Sequence, residues 1–508
     1  MISRLLARLP FIKKTSWAER HFIGVLVIGS LVAATMSLLI GLHQSVWFDE
    51  AYSILLAKQP LDRLVYLASV DTHPPLYYIL LKGWAALFGW GELALRSLSV
   101  LAMSAAVIFA GLFVRRTFGA RVALVALPFV VFAPFILRYG FEIRMYALAS
   151  LIGIAATYVL VRAMQATGKK QWLLYGLYAV LVAAGVYTLY YLALLWIAHF
   201  VWLISMSLKT KRSIIKSRWL LAYVGSVVLF LPWLPTFLAQ VNNGALAAIS
   251  QPLTLINLLG IVSFNFVYQP AWQLGAVVSL LVVFVIVAVT YFAVKAYKTV
   301  SAAQRPYLVL LAAYLAVPVA VLTLVSLNRP MYVERYLAHI AIGGMLFVGV
   351  TIALAINKKS FRQAKKMWII AGLLFATLLV GTVHLAQVGN YNFQRMQTPT
   401  IEQTAAAIAP CDDQTSVVAA DPYVAIELMY YLPDCQIYFY SETVALGGGY
   451  APLSNSPLHV TNPVGSIGAA DTLFYIYYGE PKLVLPTDFR SVSQQSFEAL
   501  HIQKFSAE

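Results

Sequence analysis

The sequence predicts an all-α polytopic membrane protein with about eleven transmembrane helices, followed by a small C-terminal α/β domain outside the cytosol. Three observations support this fold class. The 508 residues are 61% hydrophobic and only 11% charged, with a mean hydropathy of +0.78, so lipid must solvate most of the chain. Apolar runs of about 20 residues, long enough to cross a bilayer core, recur as far as residue 390. Over residues 391–508 the hydropathy falls and strand-like segments alternate with a helix.

The apolar runs define the membrane domain, residues 1–390. The first run follows a basic stretch, and we interpret it as a retained helix because it is long for a signal peptide and precedes no cleavage site followed by a soluble domain. The predicted spans are 23–42, 96–114, 122–137, 145–161, 172–188, 190–208, 219–239, 273–294, 307–327, 336–356 and 367–387.

The distribution of charge predicts the orientation. A net charge of +16 would suggest nucleic acid as a partner in a soluble protein, but here the basic residues cluster between the apolar runs. With the N-terminus in the cytosol, the cytoplasmic segments hold about two-thirds of the 36 Lys and Arg residues and only one of the 20 acids, Glu19. This positive-inside pattern predicts an integral membrane protein with a cytoplasmic N-terminus, an extracytoplasmic C-terminal domain and membrane lipids, not nucleic acid, as partners.

Two outer segments of the membrane domain are longer than simple connections. The first outer loop, residues 44–95, contains the apolar stretch Pro74 to Phe88, which is too short to span and is predicted to be an interfacial helix. The segment 240–272 is polar at its start and is a candidate lid.

The C-terminal domain, residues 391–508, is predicted from four short segments. Cys411 and Cys435 both lie in it, and outside the reducing cytosol they are expected to form a disulfide, the alternative being two unpaired core residues. The predicted strands are Thr415–Ala420, Gln436–Tyr440 and Leu473–Tyr478, and the predicted helix is Val424–Tyr431.

Acidic residues of the membrane domain gather at its outer rim, although carboxylates near a membrane are costly unless paired, metal-bound or exposed to water. Four motifs there combine acids with arginine, histidine and tyrosine, which suggests one cavity opening outward. They are Trp47-Phe48-Asp49-Glu50-Ala51-Tyr52, Asp71-Thr72-His73-Pro74-Pro75-Leu76-Tyr77-Tyr78, Arg138-Tyr139-Gly140-Phe141-Glu142-Ile143-Arg144-Met145-Tyr146 and Tyr332-Val333-Glu334-Arg335-Tyr336.

These motifs resemble those of the dolichyl-phosphate-mannose-protein mannosyltransferase-like family, bacterial relatives of the protein mannosyltransferases and of the aminoarabinose transferase that modifies lipid A. The resemblance covers roughly residues 20–390, and the first-loop motifs are its most specific part. It implies the GT-C membrane fold and the transfer of a sugar from a polyprenyl phosphate to a protein, lipid or glycan acceptor outside the cytosol, with inversion at the anomeric centre. It also places the catalytic base at Asp49.

The chemistry of such a transfer suits these residue types. The reaction needs a carboxylate that accepts the acceptor's proton and cations that stabilise the departing phosphate. Glu50, beside the proposed base, is expected to bind acceptor hydroxyls or to orient a neighbour. Glu142 is expected to share sugar or acceptor binding, the alternative being an ion pair with Arg138 or Arg144.

Asp71 and His73 are expected to contact substrate, with His73 placed by the rigid Pro74-Pro75 turn. A carboxylate and an imidazole two residues apart also suit a divalent metal ion. In the aminoarabinose branch an acid near this position takes part in metal binding, but that branch's motif differs from the one present here. No nucleotide cofactor is expected, because the sequence contains neither a phosphate-binding loop nor a dinucleotide glycine motif.

Arginines and tyrosines at the rim complete the candidate site. Arg144 and Arg335 are candidates for binding the lipid phosphate, because a guanidinium holds phosphate oxygens in a bidentate fork. Lipid head groups are the alternative partners for both, and they are the preferred interpretation for two further arginines. The remaining residues are assigned as follows: Arg96 and Arg138 to head groups, Tyr52 and Tyr336 to substrate or the aromatic belt, Tyr146 to the belt, and His339 to the core.

Two other classes of protein fit parts of the pattern. A transporter or flippase would carry ionisable residues near the middle of the bilayer on broken helices, whereas the predicted spans here are almost free of charge. A non-catalytic envelope scaffold would explain the outer domain but not the acids of the first loop. An envelope oligosaccharide ligase would carry its motifs in a late outer loop.

Overall fold

The computed structural model describes residues 16–211, 213–242, 254–270, 275–356, 361–389, 400–465, 467 and 471–507. The described membrane part consists mainly of helices. In chain order these are α1 (Trp17–Gly41), α2 (Phe48–Lys58), α3 (Leu61–Val70), α4 (Leu76–Phe88), α5 (Glu92–Phe118), α6 (Ala120–Val131), α7 (Pro134–Phe141), α8 (Tyr146–Gln165), α9 (Gly168–Thr188), α10 (Leu192–Lys209), α11 (Arg218–Phe230), α12 (Leu234–Asn242), α13 (Leu255–Phe266), α14 (Ala276–Thr299), α15 (Arg305–Ser326), α16 (Ala338–Ile356) and α17 (Phe361–Val388).

The prediction of about eleven spans is confirmed. Within the described residues, ten helices are long and apolar enough to cross a membrane, and the pair α6 and α7 makes up to an eleventh. That pair is bent by 65°, so the prediction of one continuous helix over residues 122–137 is wrong. Pro134 begins α7 and the preceding Ala133 is extended, because the proline ring disfavours helical backbone in the residue before it.

The first outer loop is more helical than predicted, because α2 and α3 precede the expected apolar helix, which is α4. The single charge of α4 has a defined partner. Lys82 Nζ donates to the carbonyl oxygens of Ala57, 3.2 Å away, and Gln59, 2.8 Å away, and so satisfies the carbonyl end of α2. The interfacial position of α4 stays a prediction.

The centre of the helix bundle is α16, in which every residue from Ala338 to Ile356 except Phe347 is buried. Glycines allow its neighbours to approach closely: a Cβ at Gly349 would lie 2.5 Å from Ala126 Cα of α6. Small residues at such crossings are typical of helix packing in membranes. By contrast α14 exposes Val283 and Val287, as expected of a lipid-facing helix.

A 3-10 turn, Leu231–Trp233, separates α11 from α12. His339 is fully buried in α16, as predicted. The lid predicted over residues 240–272 stays a prediction, since residues 243–253 and 271–272 lie outside the described residues.

The C-terminal domain is the predicted α/β domain. Its elements are α18 (Thr400–Ile408), β1 (Thr415–Ala419), α19 (Pro422–Tyr431), β2 (Gln436–Tyr440), β3 (His459–Val460), β4 (Thr472–Tyr478), β5 (Phe489–Phe497) and β6 (Leu500–Ala507). The sheet has the order β3-β2-β1-β4-β6-β5. Strands β1 to β4 pair in parallel, and β5 and β6 form an antiparallel hairpin that the sequence analysis missed. Cys411 and Cys435 form the predicted disulfide.

Candidate active site

Two adjacent carboxylates begin α2 and differ in their surroundings. Asp49 and Glu50 both lie in the first helical turn, where the helix dipole favours negative charge. Successive side chains point about 100° apart around a helix, so the two cannot face the same environment. Glu50 is 1% exposed and turns into the membrane domain, whereas Asp49 is 8% exposed and faces Arg144 and Arg335. The polar groups that surround Asp49 are called the pocket.

Glu50 is held by contacts within the protein. Its Oε2 lies 3.3 Å from Arg96 Nη2, and its Oε1 accepts a hydrogen bond from the backbone N–H of Ile143 at 2.9 Å. Arg96 is buried too, and it also pairs with Glu92 at 2.8 Å. Of the two predicted roles of Glu50, orienting its neighbours agrees with these contacts and substrate binding does not. The prediction that Arg96 contacts lipid head groups is wrong.

Glu142 also lies inside the protein. Its Oε1 accepts a hydrogen bond from Trp47 Nε1 at 2.8 Å and lies 3.3 Å from Arg138 Nη2. Burial raises the pKa of Glu142 to about 7, against the opposing charge of Arg138. The structure thus shows the ion pair with Arg138, and the predicted contact of Glu142 with sugar or acceptor stays a prediction. Arg138 is 1% exposed, so its predicted contact with lipid head groups is wrong.

The Asp49 carboxylate lies between two arginines. Its Oδ2 is 3.8 Å from Arg144 Nε and 3.7 Å from Arg335 Nε. Arg144 precedes α8, and Arg335 belongs to the 3-10 turn Glu334–Leu337 that precedes α16. Arg144 Nη1 donates to Ser53 Oγ and to Tyr78 Oη, both at 3.2 Å. The structure therefore brings Asp49, Arg144 and Arg335 together from distant parts of the chain.

The motif beginning at Asp71 forms the next wall of the pocket. Asp71 Oδ2 lies 3.3 Å from His73 Nδ1, and Thr72 Oγ1 lies 2.8 Å from the same nitrogen. Burial and the charge of Arg144 lower the pKa of His73. Burial alone would raise the pKa of Asp71, but the hydrogen bond and charge of His73, with the charge of Arg144, lower it.

The same pair tests the predicted metal site. Asp71 and His73 contact each other, and in the described part of the chain no third His, Cys, Asp or Glu joins them in a cluster that could hold an ion. A metal site normally needs three or four protein ligands. The residues present therefore do not fit a protein-held divalent ion at this position.

Tyrosines line the pocket. Tyr336 packs edge-on against His73, with 5.4 Å between ring centroids, and lies 6.5 Å from the ring of Tyr146. Tyr52 adjoins Tyr78, at 6.1 Å, and burial and the neighbouring Asp71 carboxylate raise the pKa of its hydroxyl. Tyr52, Tyr146 and Tyr336 are at most 2% exposed, so a position in the lipid-facing aromatic belt is wrong for all three.

Several polar atoms in this pocket are buried without a hydrogen bond from any described residue. They are Asp49 Oδ2, His73 Nε2, Arg144 Nε, Arg335 Nε, Tyr146 Oη and Tyr336 Oη. Such groups are costly inside a protein unless a ligand or water satisfies them. Their concentration around one carboxylate marks the pocket as a binding site.

Gln240 is a positioning residue that the sequence analysis missed. Its Nε2 donates to the carbonyl oxygens of Ala68, at 3.0 Å, and Asp71, at 2.7 Å, and Tyr190 Oη donates to its Oε1 at 2.5 Å. The side chain therefore fixes the backbone that carries Asp71. A buried amide at the end of an apolar helix was the available signal, but its partner lies far away in the sequence.

An apolar groove of about 190 Å³ adjoins the pocket. The turn Glu334–Leu337 separates the two: Glu334 and Leu337 line the groove, whereas Arg335 and Tyr336 contact Asp49 and His73. The other groove residues come from helices α7, α13, α14, α15 and α16 and include Phe135, Ile261, Phe264, Val285, Ile286, Leu315, Ile340, Gly344 and Val348. Ile286 is 39% exposed, so the groove opens on the lipid-facing surface.

The comparisons with known proteins agree with the resemblance predicted from the motifs. The family model described as dolichyl-phosphate-mannose-protein mannosyltransferase matches residues 72–235. This segment contains His73, Glu142 and Arg144, but neither Asp49 nor Arg335. No curated protein sequence matches the chain.

Solved structures share the fold over nearly the whole chain. ArnT from Cupriavidus metallidurans in the apo state is 14% identical with a TM-score of 0.62, covering 96% of this chain and 98% of ArnT. The same enzyme bound to undecaprenyl phosphate is 14% identical with a TM-score of 0.61, covering 95% and 97%. The Archaeoglobus fulgidus oligosaccharyltransferase tethered to an acceptor peptide is 12% identical with a TM-score of 0.53, covering 90% and 69%. The predicted GT-C fold is confirmed.

Proposed function

We propose that this protein is a membrane glycosyltransferase that transfers a hexose or pentose from a polyprenyl-phosphate donor to an acceptor hydroxyl or amide. The observation that carries the proposal is the Asp49 carboxylate between Arg144 and Arg335. Glu334, which precedes Arg335, lines the groove that opens to lipid. The carboxylates of Asp49 and Asp71 offset the two guanidinium charges, so the N–H donors of the arginines, and not a net charge, would recognise an anionic donor.

The two arginines are the proposed phosphate ligands. Both lie nearly 4 Å from Asp49 Oδ2, and the Nε atom of each lacks a hydrogen bond from the described residues. Arg144 is held from behind by Ser53 and Tyr78, so its remaining donors are preorganised. A guanidinium binds phosphate oxygens in a bidentate fork and stabilises the charge that develops when the phosphate departs.

Asp49 is the proposed general base of a single displacement. Its free Oδ2 accepts the proton of the acceptor, whose heteroatom forms a bond to the anomeric carbon of the sugar. The bond between that carbon and the phosphate oxygen breaks, and its electron pair leaves with the polyprenyl phosphate. Attack from the face opposite the leaving group inverts the anomeric centre. Holding both substrates in this geometry supplies much of the rate.

The groove is the proposed site of the donor's isoprenoid chain. Its walls are apolar, and it meets the pocket at the turn that carries Arg335. A lipid that enters sideways between α13 and α14 would place its phosphate beside Arg335 without leaving the membrane. The structural neighbour ArnT was solved with undecaprenyl phosphate bound, which supports a donor of this chemical class.

The test uses purified full-length protein in lipid with a panel of radiolabelled polyprenyl-phosphate sugars and a crude envelope fraction as the source of acceptor. Asp49→Asn is compared with Asp62→Asn, a control at an exposed acid of the same loop. We expect wild type and Asp62→Asn to transfer label from at least one donor and Asp49→Asn to lose most of the transfer. Transfer by Asp49→Asn at the wild-type rate would refute the base, and absence of both binding and transfer for every donor would refute the enzyme class.

A further inference from the structure

The C-terminal domain contacts the first outer loop next to Asp49. Helix α19 packs against α2, and Tyr431 of α19 accepts a hydrogen bond on its hydroxyl oxygen from the backbone N–H of Val46 at 2.6 Å. Val46 is fully buried and lies in the non-helical stretch that leads into α2. A side chain of the outer domain thus fixes the backbone three residues before the proposed base.

Phe48, the residue immediately before Asp49, is enclosed by the same domain. Its ring stacks on Tyr423 of α19, with 4.6 Å between centroids and 6° between planes, and it tilts against Tyr450 at 5.3 Å. Gly449 closes the contact, because a Cβ there would lie 3.3 Å from the Phe48 ring. This glycine belongs to the 3-10 helix Gly448–Leu453, which therefore packs directly against Phe48.

Three consecutive residues of α2 consequently point in three directions. Phe48 packs into the C-terminal domain, Asp49 faces the pocket, and Glu50 is held in the membrane domain by Arg96 and by the backbone of Ile143. A helix turn fixed on two sides can present the third side chain in only one direction. The contacts of Phe48 and of Glu50 therefore together fix the direction in which the Asp49 side chain points.

We infer that the C-terminal domain is a positioning element for the transfer reaction: Tyr423 and Tyr431 hold the start of α2 so that the Asp49 carboxylate meets the acceptor. This inference rests on the proposed function of Asp49. It gives the outer domain a catalytic purpose without any contact between that domain and substrate. A shift of about 1 Å in a catalytic group costs up to about a hundredfold in rate, so these distant contacts should affect turnover.

Donor binding should not depend on these contacts. Arg335 and the groove lie outside α2. Arg144 contacts Ser53 of α2, but Tyr78 of α4 holds it as well. Loss of the Tyr431 hydroxyl or of the Tyr423 ring should therefore lower kcat and leave donor affinity unchanged. A purely structural role of the tyrosines would instead lower the fraction of protein able to bind donor.

The experiment measures kcat, donor Kd and donor-binding stoichiometry in full-length Tyr431→Phe, Tyr423→Ala and Tyr423→Phe. Tyr438→Phe is the matched control, because Tyr438 lies on β2 and its hydroxyl donates to Gln436, two residues away, at 3.1 Å. We expect kcat to fall about 10- to 100-fold in Tyr431→Phe and Tyr423→Ala, with Kd and stoichiometry within about twofold of wild type. Tyr423→Phe, which keeps the stacked ring, and Tyr438→Phe should retain wild-type turnover.

Two outcomes would overturn the inference: unchanged kcat in both Tyr431→Phe and Tyr423→Ala, or a loss of binding stoichiometry in parallel with kcat. If Tyr423→Ala fails to fold, Tyr431→Phe alone decides, because it removes a single oxygen atom. Asp49→Asn in the same assay separates the two proposals. Full activity of Asp49→Asn would refute the proposed base, whereas inactive Asp49→Asn together with fully active tyrosine variants would refute only the positioning role.

Discussion

Glu50→Gln tests whether the second carboxylate of α2 is structural. The substitution keeps the size of the side chain and removes its charge. The amide oxygen can still accept the hydrogen bond from the backbone N–H of Ile143, at 2.9 Å in the wild type. The amide nitrogen, however, would face the guanidinium of Arg96, which is fully buried, and two donors would then oppose each other.

The contacts of Arg96 set the expected size of the effect. Removing one partner of a buried ion pair costs about 3–5 kcal/mol. Arg96 keeps its second partner, Glu92, at 2.8 Å, although the side chain of that acid is 23% exposed. We therefore expect the free energy of unfolding to fall by about 3 kcal/mol, at the lower end of that range, which is roughly a hundredfold change in the folding equilibrium.

Thermal and denaturant unfolding of the purified protein in one detergent would measure this loss, with Asp62→Asn as the exposed control. The double variant Arg96→Met with Glu50→Gln should recover part of the stability, because it removes both buried charges. Correctly folded Glu50→Gln should keep the wild-type KM for acceptor. Wild-type stability together with a raised acceptor KM would refute the reasoning and restore Glu50 as a substrate ligand.

Three further predictions concern the pocket, the groove and pH. Arg335→Ala should weaken donor binding at least about tenfold in equilibrium binding, because a charge-assisted hydrogen bond is lost, and unchanged affinity would contradict the assignment. Gly344→Leu should fill the groove, since the nearest atom to a Cβ there is 3.6 Å away. It should therefore raise the KM for long-chain but not for short-chain donors. Gly176→Leu is the control, because no atom lies within 4 Å of a Cβ at that position. Burial raises the pKa of Glu142 from 4.5 to about 7. The contribution of Glu142 to the free energy of unfolding is therefore present below about pH 4.5 and is lost as pH rises through 7. Glu142→Gln should flatten this pH dependence in unfolding experiments between pH 4.5 and 8, and a pH-independent difference in stability from wild type would contradict the prediction.

Local sequence patterns were sufficient for most of the elements. Hydropathy predicted the spans because every residue facing lipid must be apolar over the full bilayer thickness. Short strand-like segments on either side of a helix predicted β1, β2 and β4, which lie in the interior of the sheet. The hairpin of β5 and β6 was missed because β5 is an exposed edge strand, rich in serine and glutamine, that shows no apolar alternation.

The sequence predicted only some of the residues that form the candidate site. The clustering of Asp49, Asp71, His73, Arg144 and Arg335 follows from motifs at one rim of the membrane, because a rim confines them to one plane. Their burial and spacing depend on helix packing. The lipid-facing position expected for Arg96 was wrong because its partner Glu50 was not assigned to it. The one expected for Arg138 was wrong because its ion pair with Glu142 was given only as the alternative.

By itself, the sequence determined the class of protein, the number of spans, the predicted orientation and the segments that carry acids. Only the tertiary structure decided which acid faces the pocket. Asp49 and Glu50 are neighbours of the same chemical class, and the rotation of one residue along α2 separates them. That rotation is set by Arg96 on one side and by Tyr423 on the other. Both partners are remote in the chain, so no local pattern around residue 49 could reveal the difference.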